Sequence, residues 1–225
     1  MRSPSASTFG MCICKILGDP SADPPVSNCL ILPITRRESV NAKAGDCVVV
    51  ATPDEIEAYL ISIGYTAESA RSHRNIHGMA LPAHGCVLFN PAADWLESTV
   101  GEWRKKVICQ HEFAHMFQYR ARKAYHPPPG ASYPEKACAD AYREAEAQGE
   151  AVLLLLTELV IGDHSATEKA KIKKMLRLAT DRLERYIADL CYQMHLLPES
   201  NEWWIRAKKC KDFGQSTVSL GRSRQ

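Results

Sequence analysis

The chain contains two histidines and a glutamate whose types and spacing could together hold and activate a metal ion. His111 and His115 are four residues apart, with Glu112 between them, in a stretch that reads as helix. Side chains at this spacing lie above one another on one helix face, so both imidazoles can converge on a tetrahedral Zn²⁺. Glu112 projects beside the metal, where it can take a proton from a zinc-bound water that attacks a carbonyl.

The residues around this short motif decide whether it carries chemistry. Two histidines and a glutamate at helical spacing can also form an ordinary solvated face. Here the surrounding residues are apolar, namely Val107, Ile108, Phe113, Ala114, Met116 and Phe117. The helix is therefore predicted to be largely buried, and buried ionisable groups need partners or a metal.

A third zinc ligand is expected elsewhere in the chain, because two histidines alone hold zinc poorly. Gln118 and Tyr119 stand where the motif would continue towards a third histidine, so a carboxylate on the next predicted helix is the remaining option. The candidates are Glu144, Glu146 and Glu150.

Helical geometry distinguishes these three carboxylates. Glu144 lies on the same predicted face as Ala147, Gln148 and Ala151, and small residues on that face let its helix approach the histidine helix closely. The other two candidates project from a different face, one turn apart, and a solvated acidic edge is the simpler interpretation of both.

These residues resemble the gluzincin group of zinc metallopeptidases, in particular its small compact members, whose third-ligand helix reads E-x-x-A-[D/N]-x-x-A. The matching stretch is residues 144–151. The resemblance implies Glu144 as the third ligand, and Gln148, in place of Asp or Asn, as the side chain that hydrogen-bonds a ligating histidine. The alternative register, with Glu146 as ligand and Glu150 in the supporting position, stays open.

The same resemblance implies a fold and a way of binding substrate. The fold would be α+β, a mainly helical zincin-like domain with a small mixed or antiparallel sheet and a long active-site helix. The strand at residues 86–89 would lie along the cleft and pair with extended substrate backbone. A Tyr, His or Arg would stabilise the oxyanion, and the candidates are Tyr142, Tyr119, Arg143 and His126.

The expected function is that of a zinc-dependent endopeptidase, with a protein or peptide as substrate and Glu112 as general base. The alternative is a non-catalytic zincin-like protein that binds or regulates a partner. The net charge of +2 comes without a dense basic stripe, so neither nucleic acid nor a membrane surface is an expected partner, and we expect a monomer.

Composition and cysteine usage bear on domain number and location. A chain of 225 residues fits one domain, and its nine cysteines show no regular spacing, which favours free thiols in a reducing compartment. No signal peptide and no membrane span are predicted. The size and the Ser/Pro-rich start look similar to bacterial effector proteases, so we expect a cytoplasmic protein or one delivered into a host cell by a non-classical bacterial route.

The pattern along the chain predicts its organisation. Residues 1–28 are predicted to form an irregular or mobile leader, residues 29–198 a single zincin-like domain, and residues 199–225 a less regular tail. Residues 203–205 of this tail are predicted to dock on the body. Strands are predicted at residues 29–35, 47–51 and 86–89. Helices are predicted at residues 53–63, 93–123, 134–161 and 167–196, and the first of them has a capping box of Thr52 and Glu55.

Overall fold

The computed structural model describes residues 30–33, 46–91 and 100–224, and within them the fold is α+β and mostly helical, as predicted. The predicted leader and the predicted start of the histidine helix at residues 93–99 lie outside this part. The strands are β1 (Leu30–Pro33), β2 (Cys47–Val50), β3 (Gly78–Leu81) and β4 (Cys86–Phe89). The helices are α1 (Pro53–Ser62), α2 (Ala67–His73), α3 (Gly101–Arg120), α4 (Arg122–Tyr125), α5 (Tyr133–Ile161), α6 (Ala166–Met194) and α7 (Glu202–Ser223).

The four strands form one mixed sheet in the order β1-β2-β4-β3. Strands β2 and β4 run parallel, whereas β1 pairs with β2 and β3 pairs with β4 in antiparallel fashion. Strand β4, which was predicted to lie along the cleft, is paired on both sides and cannot accept another strand. That prediction is wrong, and β3 is the strand at the edge of the sheet on this side.

The central strands are buried on both faces of the sheet. Val48 and Phe89 belong to an apolar cluster with residues of α3 on one face. Val49 and Leu88 belong to a second cluster with residues of α1 on the opposite face. Strands that are covered on both faces read as continuous apolar runs, and this is why β2 and β4 could be recognised in the sequence.

Capping boxes fix the starts of two helices. The hydroxyl of Thr52 accepts from the backbone N–H of Glu55, whose carboxylate accepts from the backbone N–H of Thr52 at 2.7 Å, as predicted. Ser132 and Glu135 make the same reciprocal pair at the start of α5. Each box satisfies N–H groups that have no partner within the helix, so both helices begin at a defined residue.

An ion pair fixes α3 to the sheet. Arg120, at the last residue of α3, donates from both guanidinium nitrogens to the carboxylate of Asp46, with one bond at 2.9 Å. Asp46 is buried and immediately precedes β2. A two-bond pair of this kind also sets the orientation of its partners, so it defines the position of the histidine helix against the strands.

Helices α5, α6 and α7 pack together on the other side of α3. The segment after residue 198 was predicted to be less regular, and that prediction is wrong because α7 is a helix of 22 residues. Its two inner glycines allow close packing: a Cβ at Gly214 would lie 2.6 Å from Ile187, and a Cβ at Gly221 would lie 2.6 Å from Thr180. The predicted docking of residues 203–205 is confirmed for Trp203, which is buried, and for Trp204, which packs partly buried against the same cluster, but not for Ile205, which is 44% exposed. Among the described residues, none of the helices combines the length and the apolarity that crossing a membrane requires.

Candidate metal centre

The two motif histidines lie side by side on α3. Their Nε2 atoms are 3.1 Å apart, and the two rings meet edge to face with centroids separated by 4.7 Å. His111 is 7% exposed, so its imidazole is held within the protein rather than on a solvated face. The spacing of four residues therefore brings the two nitrogens together as predicted.

Glu144 on α5 reaches the same point from the opposite side. One carboxylate oxygen lies 3.4 Å from Nε2 of His111, and the other lies 3.4 Å from Nε2 of His115. The ligand atoms of these three residues all lie within 4.8 Å of one another, close enough to share one ion. Among the described His, Cys, Asp and Glu residues, no other group of three does so.

The separations of the three donors fit a zinc ion. Tetrahedral Zn²⁺ with bonds of about 2.0–2.1 Å requires donor atoms about 3.3 Å apart, close to the distances between these side chains. Two imidazole nitrogens and one carboxylate are also the donor set of many catalytic zinc sites, in which a fourth position is left for water. Geometry and donor chemistry therefore both suit this metal.

The helix α5 can approach α3 because its inner face is built from small or buried residues. Ala147, Gln148 and Ala151 are all buried, as predicted from the spacing that they share with Glu144. Glu144 stands at the N-terminal end of this face, where its side chain leaves the interior and meets the histidines. The small residues thus set the helix separation that the carboxylate needs in order to reach His111.

The charges at this site favour an ionised carboxylate. Burial raises the pKa of Glu144, but hydrogen bonds and the charges of His111 and His115 outweigh burial and hold the pKa well below its usual range. Burial lowers the pKa of His115, and the nearby carboxylates of Glu144 and Glu112 reverse this and raise it. A cluster that concentrates negative charge around imidazole nitrogens is a favourable place for a cation.

Gln118 orients His115. Its Oε1 atom accepts from Nδ1 of His115 at 2.9 Å, so in the neutral ring the proton is on Nδ1 and Nε2 can bind a metal. The amide of Gln118 is itself fixed, because its Nε2 donates to the carboxylate of Glu146 at 2.9 Å and to the backbone oxygen of Arg143 at 3.1 Å. Both of those partners are acceptors, so they define which end of the amide faces the histidine.

Glu146 supports this orientation and does not join the histidines. One of its oxygens accepts from Gln118, while the other accepts from the hydroxyls of Tyr125 at 3.2 Å and Tyr142 at 3.0 Å. Burial and the Glu146 carboxylate raise the pKa of Tyr125 to about 12, so both hydroxyls remain donors. The structure thus brings Glu144, rather than Glu146, to the two histidines.

The predicted role of Gln148 as the histidine partner is not found. Its Nε2 donates to the backbone oxygen of Ala179 on α6 at 3.0 Å, and Gln118 takes the role instead. Nδ1 of His111 is buried and has no hydrogen-bond partner among the described residues. Glu150, the remaining carboxylate candidate, hydrogen-bonds Gln110, and burial raises its pKa.

Tyr186 on α6 is a neighbour of the metal ligands that the sequence did not indicate. Its ring stacks on that of His111 with centroids 6.1 Å apart, and burial together with the nearby Glu144 carboxylate raises the pKa of its hydroxyl. Arg182, one turn earlier, donates to the same hydroxyl at 3.0 Å. In the sequence Tyr186 is one of several apolar or aromatic residues at helical spacing, so no signal separated it from the core.

The four residues predicted to stabilise an oxyanion have other partners or surroundings in the structure. Tyr142 is engaged with Glu146, and Tyr119 is 47% exposed near the end of α3. Arg143 donates to the backbone oxygen of Tyr125 and pairs with Asp140. His126 lies in the proline-rich connection after α4, where burial and the charge of Arg143 lower its pKa.

Glu112 faces the edge strand β3. The backbone N–H of Ala80 donates to a carboxylate oxygen of Glu112 at 2.8 Å. The backbone N–H of Asn90 donates to the backbone oxygen of His77. In an antiparallel pair, the residues of one strand alternate between bonding the partner strand and facing away from it. The backbone groups of Gly78 and Ala80 therefore face away from β4. Among the described strands, β3 is thus the edge strand that runs beside the carboxylate.

Gly78 permits this close approach of β3 to α3. A Cβ at this position would lie 2.4 Å from Cγ2 of Ile108 and 3.1 Å from Cγ of Glu112. We expect Gly78→Ala to displace the strand and lower the free energy of unfolding by about 1–3 kcal/mol. Urea unfolding measures this change. Gly101→Ala is the matched control, because a Cβ there meets nothing within 4 Å, and equal losses in both variants would contradict the packing argument.

The fold and the site thus define an α+β protein, mostly helical, in which two histidines and a glutamate meet beside a sheet edge. Comparisons with protein-family models, with curated proteins and with solved structures gave no significant match.

Proposed function

We propose that this chain is a zinc-dependent endopeptidase of the gluzincin type, with a zincin-like arrangement of helix and edge strand. The observation that carries the proposal is the set of separations among His111, His115 and Glu144, at 3.1, 3.4 and 3.4 Å. Three side chains from two helices are separated by the distances expected between the ligands of one tetrahedral zinc ion. Histidines on a solvated face would not require these distances.

Zn²⁺ bound at these three residues would polarise a substrate carbonyl and acidify a water molecule at the open position. Glu112 is the general base, because it follows His111 directly on α3 and its carboxylate lies between the histidines and the sheet edge. The bond from Ala80 fixes one oxygen of that carboxylate, and the other is available to take a proton and pass it to the leaving amine.

Strand β3 provides the surface for substrate backbone. Within the described residues, the outward carbonyls of Gly78 and Ala80 and the outward N–H of Gly78 are not used in the pairing with β4, so an extended peptide can add to the sheet at this edge through these groups. The N–H of Ala80 donates to Glu112, so a peptide paired with β3 would lie next to the general base. In this position the edge strand takes the role that was predicted for β4.

Tyr186 is the residue best placed to stabilise the oxyanion. Its ring stacks on that of His111 and its hydroxyl accepts from Arg182, so it is both close to the metal ligands and fixed in direction. When Glu144 binds the metal, this hydroxyl can donate to the oxygen on which negative charge develops.

A reducing compartment is the proposed place of action. The six cysteines of the described residues are all free, and four of them are buried. Free buried thiols are typical of proteins kept in the cytoplasm, either of the cell that makes them or of a host cell.

Hydrolysis of denatured casein and of a peptide library, with and without chelator, tests the proposed function. We expect cleavage that chelation abolishes and stoichiometric Zn²⁺ restores. Mass spectrometry of the products locates the cleaved bonds. Absence of cleavage by fully zinc-loaded protein would contradict the proposal and favour a non-catalytic binding protein.

Glu146→Gln should weaken zinc binding without removing a ligand. The new amide would place an N–H₂ group against donors from Gln118 or the two tyrosines, so the orientation of His115 would be lost. We expect a loss of about 10- to 100-fold in zinc affinity, measured by competition with a chromogenic chelator. Glu150→Gln, one turn along α5, is the matched control, and equal losses in both would refute the orienting role.

A further inference from the structure

A cavity lies next to the candidate metal centre. Its volume is about 240 Å³, and it lies between β3, the first half of α3 and α6. His111 and Glu112 form part of its wall, so a group inside it would adjoin the reacting bond. The apolar part of the wall consists of Ile76, Val107, Ile108, Met175 and Leu178.

Two arginines line this cavity. Arg182 lines it from α6 and donates from Nε and Nη2 to the neutral hydroxyl of Tyr186. No carboxylate among the described residues forms an ion pair with Arg182. Arg104 lines the cavity from α3, is 5% exposed, and donates to Nδ1 of His77 at 3.0 Å. Among the described lining residues, Glu112 is the only carboxylate.

We propose that this cavity is a specificity pocket for an acidic side chain, so that the enzyme prefers substrates with Glu or Asp next to the scissile bond. The inference rests on the proposed peptidase function. A guanidinium group binds a carboxylate through two parallel hydrogen bonds, and the apolar walls lower the local dielectric and strengthen that pair. Arg182 is the main contact, because its described partner is uncharged and its side chain borders both the cavity and Tyr186.

Side chains without a negative charge would bind less well in this cavity. A glutamine has the shape of a glutamate but lacks its charge, so it forms weaker hydrogen bonds with a guanidinium. A lysine would place a third cation beside the two arginines. The expected preference for glutamate over glutamine is about 10- to 100-fold in kcat/KM, the range for one charge-assisted hydrogen-bond pair.

Matched fluorogenic peptides test the pocket directly. Glu, Gln, Leu or Lys is placed on either side of a bond that the wild type cleaves, and the ratio of kcat/KM for Glu and Gln is measured in each variant. We expect Arg182→Gln to reduce this ratio to about 1–3 and Arg182→Glu to favour Lys instead. Arg185→Gln is the control, because Arg185 is on the same helix, is exposed and is not part of the cavity wall.

A binding measurement separates this inference from the function on which it rests. Chelator-treated wild type is titrated with short labelled peptides that differ only in Glu or Gln, and fluorescence anisotropy gives the affinities without turnover. Tighter binding of the Glu peptide, lost in Arg182→Gln, supports the pocket. Hydrolysis without preference for Glu overturns the pocket and leaves the peptidase function intact. Failure of all peptides to be cleaved overturns the function, and equal binding of the two peptides then overturns the pocket as well.

Discussion

Replacing Glu112 by Gln is expected to abolish peptide hydrolysis while one zinc ion per chain stays bound. The amide keeps the size of the side chain and can still accept from the N–H of Ala80, so the fold and the three ligands are retained. It cannot take a proton, and the loss of a general base slows such reactions by about 10²- to 10⁴-fold. Initial rates on a cleaved peptide, with zinc content measured on the same sample, give both quantities.

Glu102→Gln is the matched control for this experiment. Glu102 lies on the same helix in the first turn of α3, and it is exposed and distant in sequence from the motif. Its substitution should leave the rate within about twofold of wild type, because a surface change of this kind has little effect on structure. Full activity of the Glu112 variant would eliminate the proposed base.

Replacing Glu144 by Gln is expected to remove stoichiometric zinc and, with it, all activity. The carboxylate contributes one donor of three and the negative charge that balances the ion, whereas an amide oxygen is a weak zinc ligand. Loss of supporting hydrogen bonds alone costs about 10- to 100-fold in affinity, so loss of a ligand should exceed about 100-fold. Competition titrations with a chelator of known affinity measure this change.

The carboxylates of α5 allow a clear comparison. Glu144 and Glu146 are two residues apart on one helix, but one faces the histidines and the other faces Gln118 and two tyrosines. Glu144→Gln should therefore release zinc, and Glu146→Gln should retain it with reduced affinity. The reverse order would mean that Glu146 is the ligand and would support the alternative register of the motif.

The parts of the site that the sequence predicted are those governed by periodicity within one helix. Two histidines at i and i+4 must share a face, and Glu144 shares its face with small residues, so the approach of α5 to α3 could be expected. The capping box at Thr52 is also a local pattern, and the structure confirms that it begins α1.

The parts that the sequence missed depend on how distant elements meet. Gln118 and Gln148 are both buried amides near the motif. Only the position of α6 shows that the Gln148 side chain donates to the backbone oxygen of Ala179 instead of binding a histidine. Tyr186 comes from that same helix. Strand β3 has four residues and follows no strict alternation, and its place at the sheet edge is set by pairing order rather than by composition.

The tail illustrates a different limit of sequence patterns. Residues 202–223 form a helix although Gly214 and Gly221 lower the helical propensity of this segment. In the fold each glycine meets a side chain of α6, and the packing that this close contact permits outweighs the intrinsic preference of glycine against helix.

Metal analysis with zinc-edge X-ray absorption on the purified chain tests the central claim most directly. We predict one zinc per chain, bound only by nitrogen and oxygen at about 2.0–2.2 Å, with the signal lost in His115→Ala. Substoichiometric zinc in protein purified with added metal, or sulfur ligands from the cysteines at about 2.3 Å, would contradict it.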